Sequence, residues 1–124
     1  MGNAEDWQSK ITKDLSDHYE IFNPRRIDWD NSWIQEFANP QFSQQVNWEL
    51  DALEKATHII LYFDPKTKSP ISLLELGLYA QSEKLCVICP EGFWRKGNVD
   101  IVCNRYNVPI FENLNEAIKH LLTQ

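Results

Sequence analysis

The stretch THIILYFDPKTKSPISLLELGLYA, residues 57–80, decides the fold. Its first part, HIILYF (58–63), is a nearly continuous apolar run, as expected of a strand covered on both faces. Asp64-Pro65-Lys66 ends that strand with turn chemistry. Ser69 can then cap a helix, and Pro70 fits the first helical position, where its missing N–H costs nothing. The helix that follows carries Leu73, Leu74, Leu76 and Leu78, with Glu75 set among them. A buried strand, a polar loop and a helix in this order make half of a βαβ unit.

The neighbouring segments continue the pattern. KLCVIC (84–89) reads as a second central strand, NVDIVCNRY (98–106) as a helix and VPIF (108–111) as a strand. NLNEAIKHLLTQ (113–124) closes the chain as a helix with Leu114, Ala117, Ile118 and Leu121 inward. Upstream, EDWQSKITKDLSDH (5–18) places Trp7, Ile11 and Leu15 four apart, a single apolar stripe on a helix. YEIF (19–22) reads as a short strand stopped by Asn23-Pro24. RRIDWDNSWIQEFANPQF (25–42) is polar and tryptophan-rich, the composition of a long working loop. A helix from about Phe42 to Ala56 is expected to bury Val46, Leu50 and Leu53.

The alternation predicts one α/β domain over residues 1–124: a Rossmann-like (flavodoxin-like) three-layer sandwich around a parallel sheet. Sheets of this kind normally open on a buried strand, whereas this pattern opens on a helix. The expectation is therefore a four-stranded sheet, or one whose first strand lies upstream of Met1.

Composition narrows the function. The formal charge of −6, from 12 basic and 18 acidic residues, argues against a surface that collects nucleic-acid phosphates. Small anionic or neutral ligands fit, because a pocket needs only a local donor or two. No run has the length of a membrane span and no leader pattern opens the chain, so the cytoplasm is the expected location. Cys86 and Cys89 form a C-x-x-C inside a buried strand, and Cys103 leaves the count odd. Zinc would need four ligands and a redox pair the start of a helix, so these read as buried thiols, with no metal expected.

In open parallel sheets, ligands gather beyond the carboxyl ends of the strands. Residues 1–4 and the loops 23–41, 64–70 and 90–97 meet there. Glu75 lies about two turns into the helix that starts in that region. Its helical neighbours Ile71 and Leu78 turn it towards packing rather than water. It is either a long acid curled to the helix edge or a carboxylate tuned by a pocket for nucleophilic work. Glu49, beside Asp51 and Glu54, belongs to a solvated face or points over the strand ends. Arg25 and Arg26 with Asp28 and Asp30 make loop ion pairs or order the loop over a ligand. Trp29 or Trp33 can stack on an aromatic ring. GFWRKGN (92–98) is a glycine-bounded loop suited to a ligand or a subunit contact. No Walker A loop, no G-x-G-x-x-G after a strand and no H-E-x-x-H occurs.

These segments resemble the nucleoside 2-deoxyribosyltransferase family and its relatives, the deoxynucleoside 5′-monophosphate N-glycosidases. The likeness covers nearly the whole chain. Its most specific part is E-L-G-x-x-A, Glu75 to Ala80, supported by NWELDALEKATHIILYFDP and GNVD. The resemblance implies Glu75 as nucleophile and Ser69, six positions earlier, as a residue holding the sugar or the leaving base. It implies Glu49 as the second carboxylate and Asn98 as an asparagine lent by a neighbouring subunit, hence a homo-oligomer. Gly2 and Asn3 look like the tail of the first substrate loop. Arg26 or Arg95 would meet a 5′-phosphate, Asp28 could serve the departing base, and Trp29, Trp33 or Phe93 would flank that base. The implied activity is transfer of a deoxyribosyl group from a 2′-deoxynucleoside to another base without a cofactor. Hydrolysis of the same bond, or binding without catalysis, are the alternatives.

Overall fold

A computed structural model describes residues 7–15 and 38–123. The expected strand at 19–22 and most of the loop at 23–41 lie outside the described residues. The chain divides into two compact units, residues 22–57 and the remainder.

The larger unit contains the sheet. Its elements are α1 (Trp7–Leu15), β1 (Ile59–Tyr62), α3 (Pro70–Tyr79), β2 (Leu85–Ile88), α4 (Lys96–Arg105), β3 (Ile110–Phe111) and α5 (Leu114–Leu122), while α2 (Pro40–Lys55) forms the smaller unit. Among the described residues three strands are parallel in the order β1-β2-β3, with Ile59 opposite Leu85 and Val87 opposite Ile110. Hydrogen bonding runs past the strand ends, from Phe63 N to Ile88 O and from Cys89 N to Phe111 O, both 2.9 Å.

β2 is central, and all four of its residues are buried. Alternation along the strands sends successive side chains to opposite faces. On one face Cys86 and Ile88 meet Ile11 and Leu15 of α1 and Ala117, Ile118 and Leu121 of α5, with Ile60, Tyr62 and Phe111 around them. Against the other face, α3 packs on β1. Val87 and Ile88 are completely buried. Each such side chain contributes about 1.5–3 kcal/mol of apolar transfer energy. Helices thus cover both faces of a parallel sheet, giving a Rossmann-like α/β sandwich. Of the stripe expected on α1, Ile11 and Leu15 are buried.

Two local expectations are corrected. Ser69 occupies the N-cap position of α3 but makes no side-chain cap bond, because its backbone is left-handed, with φ 47° and ψ 51°. In α2, Val46, Leu50 and Leu53 are only half-buried, and the buried side chain is Gln45. That helix starts on a working cap instead: the Asn39 side chain accepts hydrogen bonds from the Gln41 and Phe42 amides, with Pro40 in the first turn.

Candidate active site

Two loops leave the carboxyl ends of β1 and β2, and side chains lace them together. Phe63 and Phe93 touch with ring centroids 5.0 Å apart, and both are buried. The Trp94 indole N–H donates to the Lys68 carbonyl at 2.9 Å. The Lys68 ammonium and the Arg95 guanidinium lie 5.6 and 4.4 Å from the Trp94 ring centroid, within cation–π range. Gly92 takes a positive φ of 96°, which a side chain rarely adopts, and lies against Pro65 of the first loop.

The β1 loop has its own scaffold. Asp64 is buried, and its Oδ1 accepts from the Lys66 amide at 2.8 Å. Its backbone carbonyl accepts from the Thr67 amide at 3.0 Å and from the Thr67 hydroxyl at 3.1 Å. The Thr67 and Ser69 hydroxyl oxygens are 2.6 Å apart. Ser69 then hands the chain to α3, accepting on its carbonyl the first helical bond, from Leu73 N.

Glu75 follows in the second turn of α3 and is half-buried. Leu76 and Ala80 mark the buried stripe of this helix. At 100° per residue, Ser72, Glu75 and Tyr79 run up one border of the stripe, and Leu73 and Gly77 run up the other. Ile71, Leu74 and Leu78 form the outer face, exposed by 61%, 60% and 56%. The expectation that Ile71 and Leu78 would turn Glu75 into packing is therefore replaced. Glu75 stands at the edge between a buried and an open apolar face.

Asn98 is exposed on α4. It lines a groove of about 200 Å³ with Leu73, Leu76, Gly77, Val99 and Val102, on the opposite border of α3 from Glu75. Arg95 is exposed beside Trp94, and Phe93 is 4% exposed in its contact with Phe63. Glu49 is half-buried on α2, where it accepts a 3.0 Å hydrogen bond from the amide of Gln45. Gly2, Asn3, Arg26, Asp28, Trp29 and Trp33 lie outside the described residues. A second cleft, of about 300 Å³, opens at the amino ends of the strands, lined by His58, Lys84, Tyr106 and His120 among others.

Sequence reading passed over Thr67, Asp64 and Gln45 as site scaffolding. For the first two a signal existed in D-P-x-T, since aspartate and threonine in a turn bond the backbone two or three residues on. Lys96 is another. Its ammonium bonds the Cys89 carbonyl at 2.7 Å, Glu112 at 3.0 Å and Asp100 at 3.3 Å, tying the end of β2 to α4 and to the link after β3. Burial opposes its charge, but the hydrogen bonds to Glu112 and Asp100 outweigh that and raise its pKa above the ordinary lysine value. The three thiols are the reverse case. Burial pushes Cys86 and Cys89 up to about 11 and Cys103 up to about 12, so they stay protonated and unreactive at neutral pH. Among the described residues no cluster of three or more metal-binding side chains occurs, and no helix is long and apolar enough to cross a membrane.

The arrangement gives a half-open carboxylate one helix turn beyond a hydroxyl-bearing loop, at the edge where parallel sheets bind ligands. Comparison with curated proteins returns no match. Residues 1–93 of the 124, a span that includes Glu75, Ser69 and Glu49, match the family described as nucleoside 2-deoxyribosyltransferase like. With the Rossmann-like sheet, that match supports a nucleoside-processing enzyme: the chain belongs to the nucleoside 2-deoxyribosyltransferase-like family.

Proposed function

We propose that the protein cleaves the N-glycosidic bond of a 2′-deoxynucleoside and passes the deoxyribosyl group to a second base. The observation that carries this reading is the position of Glu75, half-buried in the second turn of α3 beyond the β1 loop. A carboxylate at such an edge keeps a path to substrate while apolar neighbours limit its hydration.

In the first step a Glu75 oxygen attacks the anomeric carbon. The C1′–N bond breaks and its electron pair leaves with the base, which takes a proton from a general acid. The transition state has oxocarbenium character, so the negative charge of Glu75 also stabilises it electrostatically. The product is a covalent deoxyribosyl ester. In the second step a ring nitrogen of an incoming base attacks C1′, releases the Glu75 carboxylate and returns its proton to the conjugate base of that acid. Ser69 contacts the sugar or base, and Arg95 lies at the rim. The open apolar face of Ile71, Leu74 and Leu78, next to the groove that holds Asn98, supports a homo-oligomer in which a neighbouring chain's asparagine completes the site.

The test is incubation with each 2′-deoxynucleoside, with and without a second base, followed by chromatography beside Glu75→Ala. A new nucleoside that appears only with the acceptor base supports transfer. Free base without an acceptor means water intercepts the ester. No release by folded protein rules out the catalytic reading.

A further inference from the structure

The cleft at the amino ends of the strands lies at the opposite end of the sheet from the loops that carry Ser69 and Trp94. Its lining residues all belong to the larger unit. A volume of about 300 Å³ is at the small end of the range for ligand pockets. Three basic side chains reach it from separate places: His58 just before β1, Lys84 just before β2, and His120 in the last turn of α5. Among the described residues that line it, Glu83 is the single acid. The chain as a whole has 18 acidic and 12 basic residues, so the cleft reverses that balance. Leu85 and Val108, both buried, give it apolar surface, and Tyr106 adds a ring that is 40% exposed.

Local bonds hold these walls. The Ser82 hydroxyl donates to the Tyr79 carbonyl at 2.6 Å and accepts from the Lys84 amide at 3.2 Å, which fixes the turn into β2. The Val108 amide donates to the Cys103 carbonyl at 2.9 Å, and the His120 ring tilts against Phe111 with centroids 5.1 Å apart. Three non-glycine residues among those described have a left-handed backbone. One is Ser69, and the other two, Glu83 with φ 64° and Asn107 with φ 57°, line this cleft. Asparagine adopts that conformation readily, but glutamate does so rarely. Strained residues of this kind concentrate where ligands are held.

Helices α3 and α4 end at this edge, with Ala80 and Tyr106 at their C-caps. The partial negative charge of helix carboxyl ends favours protonated lysine and histidine nearby but repels an anion. An anion in the cleft must therefore be held by the basic side chains themselves.

We propose that this cleft is a second ligand site and takes a small ring-bearing phosphate monoester, no larger than a mononucleotide. The phosphate accepts hydrogen bonds from Lys84, His58 and His120, and the ring lies against Tyr106. Glu83 and Asn107 meet donors on the ring or sugar. A phosphate monoester offers three terminal oxygens to donors arriving from three elements, where a carboxylate offers two. The site is independent of the reaction proposed at the opposite edge.

Amide-resolved NMR titration shows where a probe binds and how tightly. Uridine 5′-monophosphate is expected to shift amides at 83–86 and 106–108, and to bind at least about tenfold more tightly than inorganic phosphate or uridine alone. Phenyl phosphate as tight as the nucleotide identifies a general aryl phosphate site, and weaker binding identifies a nucleotide site; both uphold the inference. Lys84→Met is expected to lose about tenfold, the scale of one charge-assisted hydrogen bond, and Tyr106→Ala about fivefold. Glu75→Ala is expected to leave this binding unchanged. Thermal unfolding checks each variant, and the exposed Tyr106 carries the test if Lys84→Met does not fold. Shifts confined to 64–70 and 90–97, or no shifts at all, overturn the inference. So does inorganic phosphate binding as tightly as the nucleotide, or full affinity in folded Lys84→Met or Tyr106→Ala. Binding at this cleft by a protein that turns over no nucleoside upholds it and removes only the proposed reaction.

Discussion

Alkaline pH acts on this fold through its three thiols. Cys86, Cys89 and Cys103 are 3%, 0% and 0% exposed, and burial raises them from 9.0 to about 11, 11 and 12. A folded pKa raised above the unfolded value means stability is complete below the unfolded pKa and falls as pH climbs towards the folded one. The window is therefore pH 9 to about 11 for Cys86 and Cys89, and up to about 12 for Cys103. At pH 10 an unfolded thiol is mostly ionised while its folded counterpart is not, which costs roughly 1 kcal/mol each and about 3–4 kcal/mol for all three relative to pH 8. Set against a typical stability of about 5–15 kcal/mol, that is a large share. Urea unfolding followed by circular dichroism at pH 8, 9 and 10 measures the loss, and Cys86→Ala should recover about 1 kcal/mol of the pH-dependent part. Lys96 pulls in the same direction only above the ordinary lysine value, so it contributes little in this range. A loss under about 1 kcal/mol by pH 10 would refute the reasoning, as would an unchanged pH dependence in the variant.

Three further substitutions follow from the packing. Phe63→Ala empties a completely buried site that braces the β1 loop against Phe93, and should cost about 3–5 kcal/mol in urea unfolding. Lys96→Met removes the donor of the buried Cys89 carbonyl while Asp100 and Glu112 remain hydrated, for a loss of about 1–3 kcal/mol at pH 7 by the same assay. The wild-type advantage over Lys96→Met should persist through neutral pH and fade only as pH rises through the raised lysine pKa. Gly92→Ala forces a side chain onto φ 96°, and should lower the thermal midpoint by an amount equivalent to about 1 kcal/mol.

The sheet was legible because its strands are apolar on both faces. HIILYF and KLCVIC became β1 and β2 with ends within one residue, and D-P-K marked the loop between β1 and α3. VPIF shortened to the two residues of β3, since only Ile110 and Phe111 reach the ladder on β2. What sequence could not tell was which apolar residues the chain itself covers. Ile71, Leu74 and Leu78 are as oily as Leu76, and only Leu76 is buried. In α2 the inward position fell to Gln45, which composition marks as polar and whose burial is tolerated by its bond to Glu49. Ser-Pro before a helix announced a cap. The left-handed backbone at Ser69 cancelled it and sent the hydroxyl to Thr67, a tertiary outcome that local propensity does not encode. For the site, the order of strand, loop and helix put Glu75 and Ser69 near the carboxyl edge. The lacing by Trp94 and the turn built by Asp64 and Thr67 depend on contacts between loops, beyond any periodicity.

That lacing bears on how the edge of the sheet breathes. The indole bond from Trp94 to the Lys68 carbonyl joins positions 26 apart, and the Phe63–Phe93 contact closes the same gap from below. Neither loop can peel away without stripping partners from the other. Amides of the two loops should therefore exchange with solvent as one cooperative unit, with a common opening free energy, although two different strands deliver them. A substrate arriving at this edge would meet these two loops already joined, with little ordering left between them on binding.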